Sequence, residues 1–371
     1  MLYYNVPITY YIFKLNDFKL TIDDRPIFIS NTICKKLYIH KEKIDNLNDR
    51  WDIVKKYVNP YEYIHTIIPG IYKSVSKYKP ISRAFFKFIE INKQFNVLNY
   101  SGPIKTFHLA EGPGGFIEAI SKLRDNEDDI YYGITLIQGK KAPGWGFCNK
   151  LLNRYKNIYI EYGATNTGNI LLAENYKYCY DKYKSSMAII TGDGGFDFSS
   201  DYNQQENNSR KLIFVEILYI ISLQKKEGSS IIKIYDSFSQ FTVEAIFLLS
   251  SFYKKCNIVK LNTSRVANSE KYIICKGFRY DNIDSYYPIF YNMIKELESH
   301  DTLSSFLTVH IPLYLLSTIE EINNLLGALQ INYILKIIHA IQFRHMNPNK
   351  TNIQKCIDWC IKHDIDYNEV S

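Results

Sequence analysis

The sequence predicts a doubly wound α/β fold, with a mostly parallel sheet of seven strands, one of them antiparallel, and helices on both faces. Three observations predict it. From about residue 81, apolar runs of strand length alternate with longer runs of helix length, the pattern of strands joined by crossover helices. The stretch Phe107–Phe116, FHLAEGPGGF, ends an apolar run in Glu111 and Gly112-Pro113-Gly114-Gly115. Glycines there let a buried strand turn tightly into a helix whose start offers free N–H groups to a ligand. The last two strand-like runs follow each other without a helix, so they pair antiparallel.

In order, a helix over Ser82–Lys93 leads to a strand at Thr106–Ala110, a helix from Phe116, and strands at Ile130–Thr135 and Ile158–Tyr162. A strand at Met187–Gly192, a helix over Glu206–Lys226, a strand at Ile231–Tyr235 and a helix over Phe241–Tyr253 follow. Strands at Ile258–Leu261 and Lys271–Cys275 complete the sheet. Helices are expected over Ser304–Leu316, Thr318–Leu329 and Ile331–Phe343, with Pro312 kinking or splitting the first. Three regions result. Residues 1–80, broken by Pro7, Pro26, Pro60, Pro69 and Pro80, read as a flanking subdomain; 81–278 carry the sheet; 279–371 form a helical C-terminal extension.

The 371 residues are 46% hydrophobic with a mean hydropathy of −0.22, which fits a globular chain with a substantial core. No apolar run reaches about 18 residues without polar interruption, so neither a signal peptide nor a membrane span is expected. Seven cysteines, scattered from Cys34 to Cys360, argue against a disulfide framework. An intracellular, cytoplasmic location is therefore expected. The net charge of +7 sits entirely in the first 100 residues, which carry 16 basic and 9 acidic side chains. There Lys73, Lys77, Lys79, Arg83, Lys87 and Lys93 interleave with Tyr72, Tyr78, Phe85, Phe86 and Phe88. That mixture suits phosphate neutralisation beside base stacking, or equally a solvated helix face over an aromatic core.

Ligands in open α/β sheets bind beyond the carboxyl ends of the strands. The polar residues there are Glu111–Gly115, Thr135, Asp193-Gly194-Gly195-Phe196, Lys233 and Glu270. Lys233 on the apolar run Ile231-Ile232-Lys233-Ile234 is costly to bury unpaired, and Asp193 is its obvious partner. Cys356, Cys360 and His363, with His345 nearby, have a spacing unlike common zinc sites and read as a buried helical face, so no metal is expected. His108 reads as a core histidine. The glycine turn lacks the G-x-G-x-x-G order of a nicotinamide site.

Together, Ser82–Lys87, the turn Glu111–Phe116, Asp193–Phe196, Lys233 and the segment Thr263–Glu270 resemble the FtsJ-type RNA ribose 2′-O-methyltransferases. The form of the Asp193 and Glu270 motifs is most similar to the branch that methylates the cap-proximal nucleotide of messenger RNA, found in eukaryotes and large DNA viruses. The resemblance covers about residues 81–278. It implies a seven-stranded Rossmann-like methyltransferase sheet, a catalytic set of Lys87, Asp193, Lys233 and Glu270, and S-adenosylmethionine held at Gly112, Pro113, Gly114, Gly115 and Phe116, with Asp193 bordering cofactor and substrate. Where ribosomal-RNA members of the family carry acidic cofactor-binding residues, the matching positions here are Thr135 and Asn169. It further implies RNA contacts at Arg83, Arg265 and Asn268, a capped mRNA 5′ end as substrate, and a partner in the capping machinery. A viral chain would work in a viral factory or a virion. A 2′-O-methyltransferase of ribosomal or transfer RNA and a catalytically idle RNA-binding capping subunit are the alternatives.

The four catalytic types make chemical sense. A free lysine, with a pKa of about 10.4, is protonated at neutral pH. Lys87 and burial would push Lys233 down, whereas Asp193 and Glu270 would push it up. Lys233 is thus expected either to act as the base or to steer the deprotonated hydroxyl.

Overall fold

The computed structural model describes all residues except 24–27, 46, 138–143, 147, 196–201, 344–349 and 371, and all described side chains except those of 48 and 49. The chain begins with β1 (Leu2–Val6), β2 (Phe18–Thr21), α1 (Asn31–Asp45), α2 (Asn48–Val58) and α3 (Ala84–Phe95). The sheet region runs β3 (Lys105–Leu109), α4 (Gly115–Arg124), β4 (Ile130–Ile134), α5 (Asn149–Arg154), β5 (Ile158–Glu161), α6 (Ala173–Tyr183) and β6 (Met187–Gly192). It continues through α7 (Gln205–Leu223), β7 (Gln224–Ile234), α8 (Gln240–Phe252), β8 (Tyr253–Lys260) and β9 (Lys271–Phe278). Last come α9 (Tyr287–Leu297), β10 (Ser305–Leu307), α10 (Leu313–Gln342) and α11 (Lys350–Lys362).

The sheet order is β1-β8-β9-β7-β6-β3-β4-β5. The five strands from β7 to β5 are parallel, and β9 lies antiparallel between β7 and β8. This is the expected doubly wound class, with one correction: there are eight strands rather than seven. Leu2–Val6 pairs antiparallel with β8, from Leu2↔Lys260 to Val6↔Cys256. An open β8 edge would leave a row of unpaired backbone groups, and the opening strand covers it. Short strand propensity near a chain start is a weak signal, so this pairing was not legible.

Apolar side chains close both faces. Phe85, Phe88, Phe116 and Ile120 pack α3 and α4 on one face; the almost wholly buried α7 and α8 pack on the other. Helices α1 and α10 form a separate cluster through Cys34, Leu37, Ile334 and Ile337, which reaches Phe238 and Ala267 beside the carboxyl end of the sheet.

The C-terminal part departs from expectation. Residues 305–307 form a strand on β2, and the Glu244 carboxylate accepts the Phe306 and Leu307 N–H groups at 2.6 and 3.1 Å. Pro312 precedes a helix instead of kinking one, as suits a residue without an N–H. The two later helices are a single α10, and it is long and apolar enough to cross a membrane by length and composition. Here it packs on α1 and α2, buries Asn323 and Gln330 in hydrogen bonds to the chain, and exposes Glu320, Glu321, Asn324 and Lys336.

Candidate active site

The glycine turn is built around Glu111. Its Oε1 accepts the N–H groups of Phe116 and, at 3.0 Å, Ile117; its Oε2 accepts the Thr191 hydroxyl at 2.8 Å and lies 3.1 Å from His108 Nδ1. Two of the first N–H groups of α4, those of Phe116 and Ile117, are therefore taken by this carboxylate and are not free for a ligand. His108 is buried as expected, yet it belongs to this network rather than standing alone. The Phe116 ring is core, 5.6 Å from Phe88 and 6.2 Å from Tyr272 by centroid. What remains for a cofactor is the bare backbone of Gly112–Gly114. A Cβ at Gly112 would lie 2.6 Å from the Gly144 carbonyl oxygen, and Gly114 holds φ +105°, a conformation side chains resist. The Trp145 indole lies beside Gly114 and Gly133, and its Nε1 is buried without a partner among the described residues.

Thr135 is buried at the end of β4, and a Cβ at Gly168 would lie 1.9 Å from its carbonyl oxygen, so the loop before Asn169 closes against it. Asn169 uses its Oδ1 on the Leu171 N–H at 3.1 Å, which leaves its Nδ2 as a donor without a partner among the described residues. A bare glycine cradle, an orphan indole N–H and a spare amide donor fit a purine nucleoside-type ligand bearing acceptors.

The four catalytic-type residues converge at the carboxyl end of β6 and β7. Lys87, on the inner face of α3, donates to Glu270 Oε2 at 2.8 Å. Lys233, near the end of β7, donates to the Asp193 carbonyl oxygen at 2.7 Å and lies 3.3 Å from Asp193 Oδ1. Tyr272, missed in the sequence, joins the two pairs. Its hydroxyl accepts from Lys87 Nζ at 2.9 Å and donates to Asp193 Oδ1 at 2.7 Å. The sheet register sets Tyr272 directly opposite Lys233 and two residues after Glu270, hence on the same face. That strand period was the available signal. Ser264 donates to Glu270 Oε1 at 2.5 Å and fixes its other oxygen. A Cβ at Gly195 would lie 3.0 Å from Lys233 Nζ and 2.8 Å from the Tyr235 hydroxyl, so a side chain there would displace these two groups. Phe196, in the same motif, is outside the described residues.

The two ammonium groups differ electrostatically. Burial pushes Lys87 below its ordinary value, aided by Arg83 and Lys233 and only partly opposed by Glu270 and Asp193. Burial also works to lower Lys233, but Asp193, Tyr235, Glu270 and Glu216 outweigh it and raise the group. Glu270 is opposed by burial as well, yet Lys87, Lys233 and Arg83 hold it well below the usual carboxylate range. Glu216, wholly enclosed behind Gly194, is pushed up to about 8 by burial; its Oε1 accepts the Gly194 N–H at 3.2 Å and its Oε2 has no partner among the described residues.

The residues expected to touch RNA divide. Arg83 is partly exposed at the start of α3 and has no ion-pair partner among the described residues. Arg265 is committed to Glu62, with bonds of 2.9 and 2.6 Å. Asn268 is tied through its backbone to Arg265 and Lys260, and its side-chain amide has no partner among the described residues. Phe85, Phe86 and Phe88 belong to the core, whereas Tyr72 is 85% exposed. Cys356 and His363 bond backbone carbonyls, and no cluster of metal-ligating side chains occurs among the described residues; His345 lies outside them.

An open α/β sheet with a glycine turn and an ionic cluster at adjacent strand ends places a candidate site beyond the carboxyl ends of the strands, where folds of this class bind ligands. Residues 80–278 match the FtsJ-like methyltransferase family, more than half of the chain, and the chain belongs to that family. A Dictyostelium discoideum cap-specific mRNA (nucleoside-2′-O-)-methyltransferase 1 is 30% identical over 293 residues, covering 72% of this chain and 37% of that protein. The Mus musculus protein of the same name is 25% identical over 91% of this chain and 42% of its own length. A Trypanosoma brucei counterpart is 31% identical over 45% of each. The chain thus spans less than half the length of these relatives.

Proposed function

We propose that this chain transfers a methyl group from S-adenosylmethionine to a ribose 2′-hydroxyl of RNA, at the cap-proximal nucleotide of messenger RNA. The observation that carries this reading is the joining of the Lys87–Glu270 and Lys233–Asp193 pairs through the Tyr272 hydroxyl, beside a bare glycine turn. The names of the relatives favour the capped substrate over ribosomal or transfer RNA.

When bound, S-adenosylmethionine supplies a methyl group already activated on a sulfonium. Gly112–Gly114, Trp145, Thr135 and Asn169 are the residues suited to hold it. The protein's task is then to align the hydroxyl and to stabilise the charge that grows on its oxygen as its proton passes to solvent water. Alignment can supply about 7–11 kcal/mol where it is good. Lys233, kept an ammonium by its acidic neighbours, is the electrostatic stabiliser of that oxygen. Asp193 fixes the Lys233 head through two oxygens, and Lys87, Tyr272 and Glu270 fix Asp193. Arg83 and the exposed Lys73, Lys77 and Lys79 supply cations for the RNA backbone. Arg265 holds its loop through Glu62, and the Asn268 amide stays available to RNA. An intracellular site of action accords with seven cysteines that are all free and buried; a capping-machinery partner would dock outside this cleft.

Methyl transfer from labelled donor to short capped and uncapped RNAs tests the reading, with Lys233→Ala alongside. The expected result is transfer to capped RNA that Lys233→Ala abolishes. Equal rates on both RNAs would overturn the cap assignment alone. Absence of donor binding at millimolar concentration on calorimetry would leave an idle RNA-binding subunit.

A further inference from the structure

We propose that the helices outside residues 80–278 act as a positioning clamp on the catalytic residues, with Lys41 of α1 and Gln330 of α10 as its two jaws. Lys41 is 2% exposed, and its Nζ lies 2.7 Å from Asp236 Oδ2. Asp236 follows Lys233 by three residues, just past the end of β7. The same carboxylate accepts the Ser269 hydroxyl at 3.0 Å and faces Lys271 Nζ at 3.5 Å. Ser269 immediately precedes Glu270. Gln330 is buried and donates from Nε2 to the Ala267 carbonyl oxygen at 3.0 Å and to the Ser269 hydroxyl at 3.3 Å.

The stitching is completed from the sheet. Lys271 Nζ donates to the Tyr235 carbonyl oxygen at 2.8 Å, and Lys260 Nζ donates to the Glu270 carbonyl oxygen at 2.9 Å. The segment carrying Glu270 and the segment following Lys233 are therefore bound to each other through Asp236. Both are then bound to two helices foreign to the methyltransferase core. These contacts fall on the residues adjoining the catalytic ones, while α1 and α10 hold each other by apolar packing of Leu37, Ile334 and Ile337. Six buried polar side chains, Lys41, Asp236, Ser269, Lys260, Lys271 and Gln330, meet around this loop, and each is matched, because unpaired buried charge is costly. Matched, they restrict the loop to one geometry. Lys41 and Gln330 touch neither substrate nor donor and are positioning residues.

The catalytic meaning of the clamp rests on the function proposed above; its structural meaning does not, so the test has two readouts. In the full chain, Lys41→Met is compared with wild type by backbone hydrogen exchange and by methyl transfer. Amides of residues 264–271 are expected to exchange at least about tenfold faster, with those of 105–118 within about twofold of wild type. The turnover number should fall at least about tenfold with the KM for donor within about twofold, and Lys41→Arg should restore part of both. Unchanged exchange over 264–271 in a folded variant, or exchange raised evenly across the sheet, overturns the clamp. Raised exchange with unchanged turnover overturns its catalytic role. Should Lys41→Met fail to fold, Gln330→Met, which removes no charge, is read by the same criteria. A wild-type protein inactive on RNA refutes the proposed function and leaves the exchange readout in force.

Discussion

Removing one oxygen atom, in Tyr272→Phe, tests whether the two ion pairs work as a unit. The ring is wholly buried and opposite Lys233, so phenylalanine keeps the packing against Phe116. Two hydrogen bonds to charged groups disappear, one from Lys87 at 2.9 Å and one to Asp193 at 2.7 Å. Each such bond contributes about 1.5–3 kcal/mol. Lys87 keeps Glu270 at 2.8 Å and so recovers part of its loss. Asp193 keeps Lys233, but loses the donor that orients its Oδ1. If one bond's worth appears in the barrier, the turnover number falls about ten- to hundredfold, at about 1.4 kcal/mol per tenfold. The assay is single-turnover methyl transfer at saturating donor and RNA, with donor affinity measured by calorimetry and expected to be unchanged. Burial holds the Tyr272 phenol well above its ordinary value, so no ionisation is lost and the deficit should be flat across neutral pH. A folded variant with turnover within about twofold of wild type would refute the bridging role.

Two further outcomes follow from the same geometry. Gly195→Ala places a methyl 3.0 Å from Lys233 Nζ and should displace it, lowering turnover by at least about tenfold while donor binding persists; wild-type turnover would mean the ammonium is not held there. Glu216 tests a stability effect with a definite sign. Burial raises its carboxyl from an ordinary 4.5 to about 8, so across that window the folded chain keeps a proton that the unfolded chain has released. Its contribution is full below about pH 4.5 and is lost as pH rises to about 8. Glu216→Gln lacks this titration, so its melting temperature should gain on wild type from about pH 5 to about pH 9. Parallel melting profiles would contradict the assignment.

The strand ends made the candidate catalytic set legible. A lysine in an apolar strand must find a carboxylate, and alternating strands and helices fix which ends are adjacent. Tyr272 was hidden by composition: among 32 tyrosines, one more in a strand carries no signal until the register is known. The aromatics beside the N-terminal lysines had two readings, and packing chose the core for Phe85, Phe86 and Phe88, leaving Tyr72 outside. Helix-start chemistry misled at Glu111, because a carboxylate five residues ahead of Phe116 can fold back and take the N–H groups reserved for a ligand. The β1 edge strand and the Lys41–Asp236 contact join residues roughly 200 or more apart, which no local pattern encodes.

The contrast between the two lysines in the ligand-free protein favours one of the roles that the sequence left open for Lys233. Both are buried to a similar degree, with side chains 5% and 10% exposed, so desolvation disfavours both ammonium groups. What differs is the company. Lys87 has one carboxylate at contact distance and lies within reach of the Arg83 charge, and the balance falls below its ordinary value. Lys233 faces Asp193 directly and feels the Glu270 carboxylate behind it, and the balance rises above. A lysine so raised holds its proton throughout neutral pH and cannot accept another. Its contribution to the proposed transfer is a fixed positive charge, already oriented by Asp193, at the place where a hydroxyl oxygen would gain negative charge. Such a charge needs no reorganisation as the reaction proceeds, which is why a pre-paired lysine serves better there than a free one.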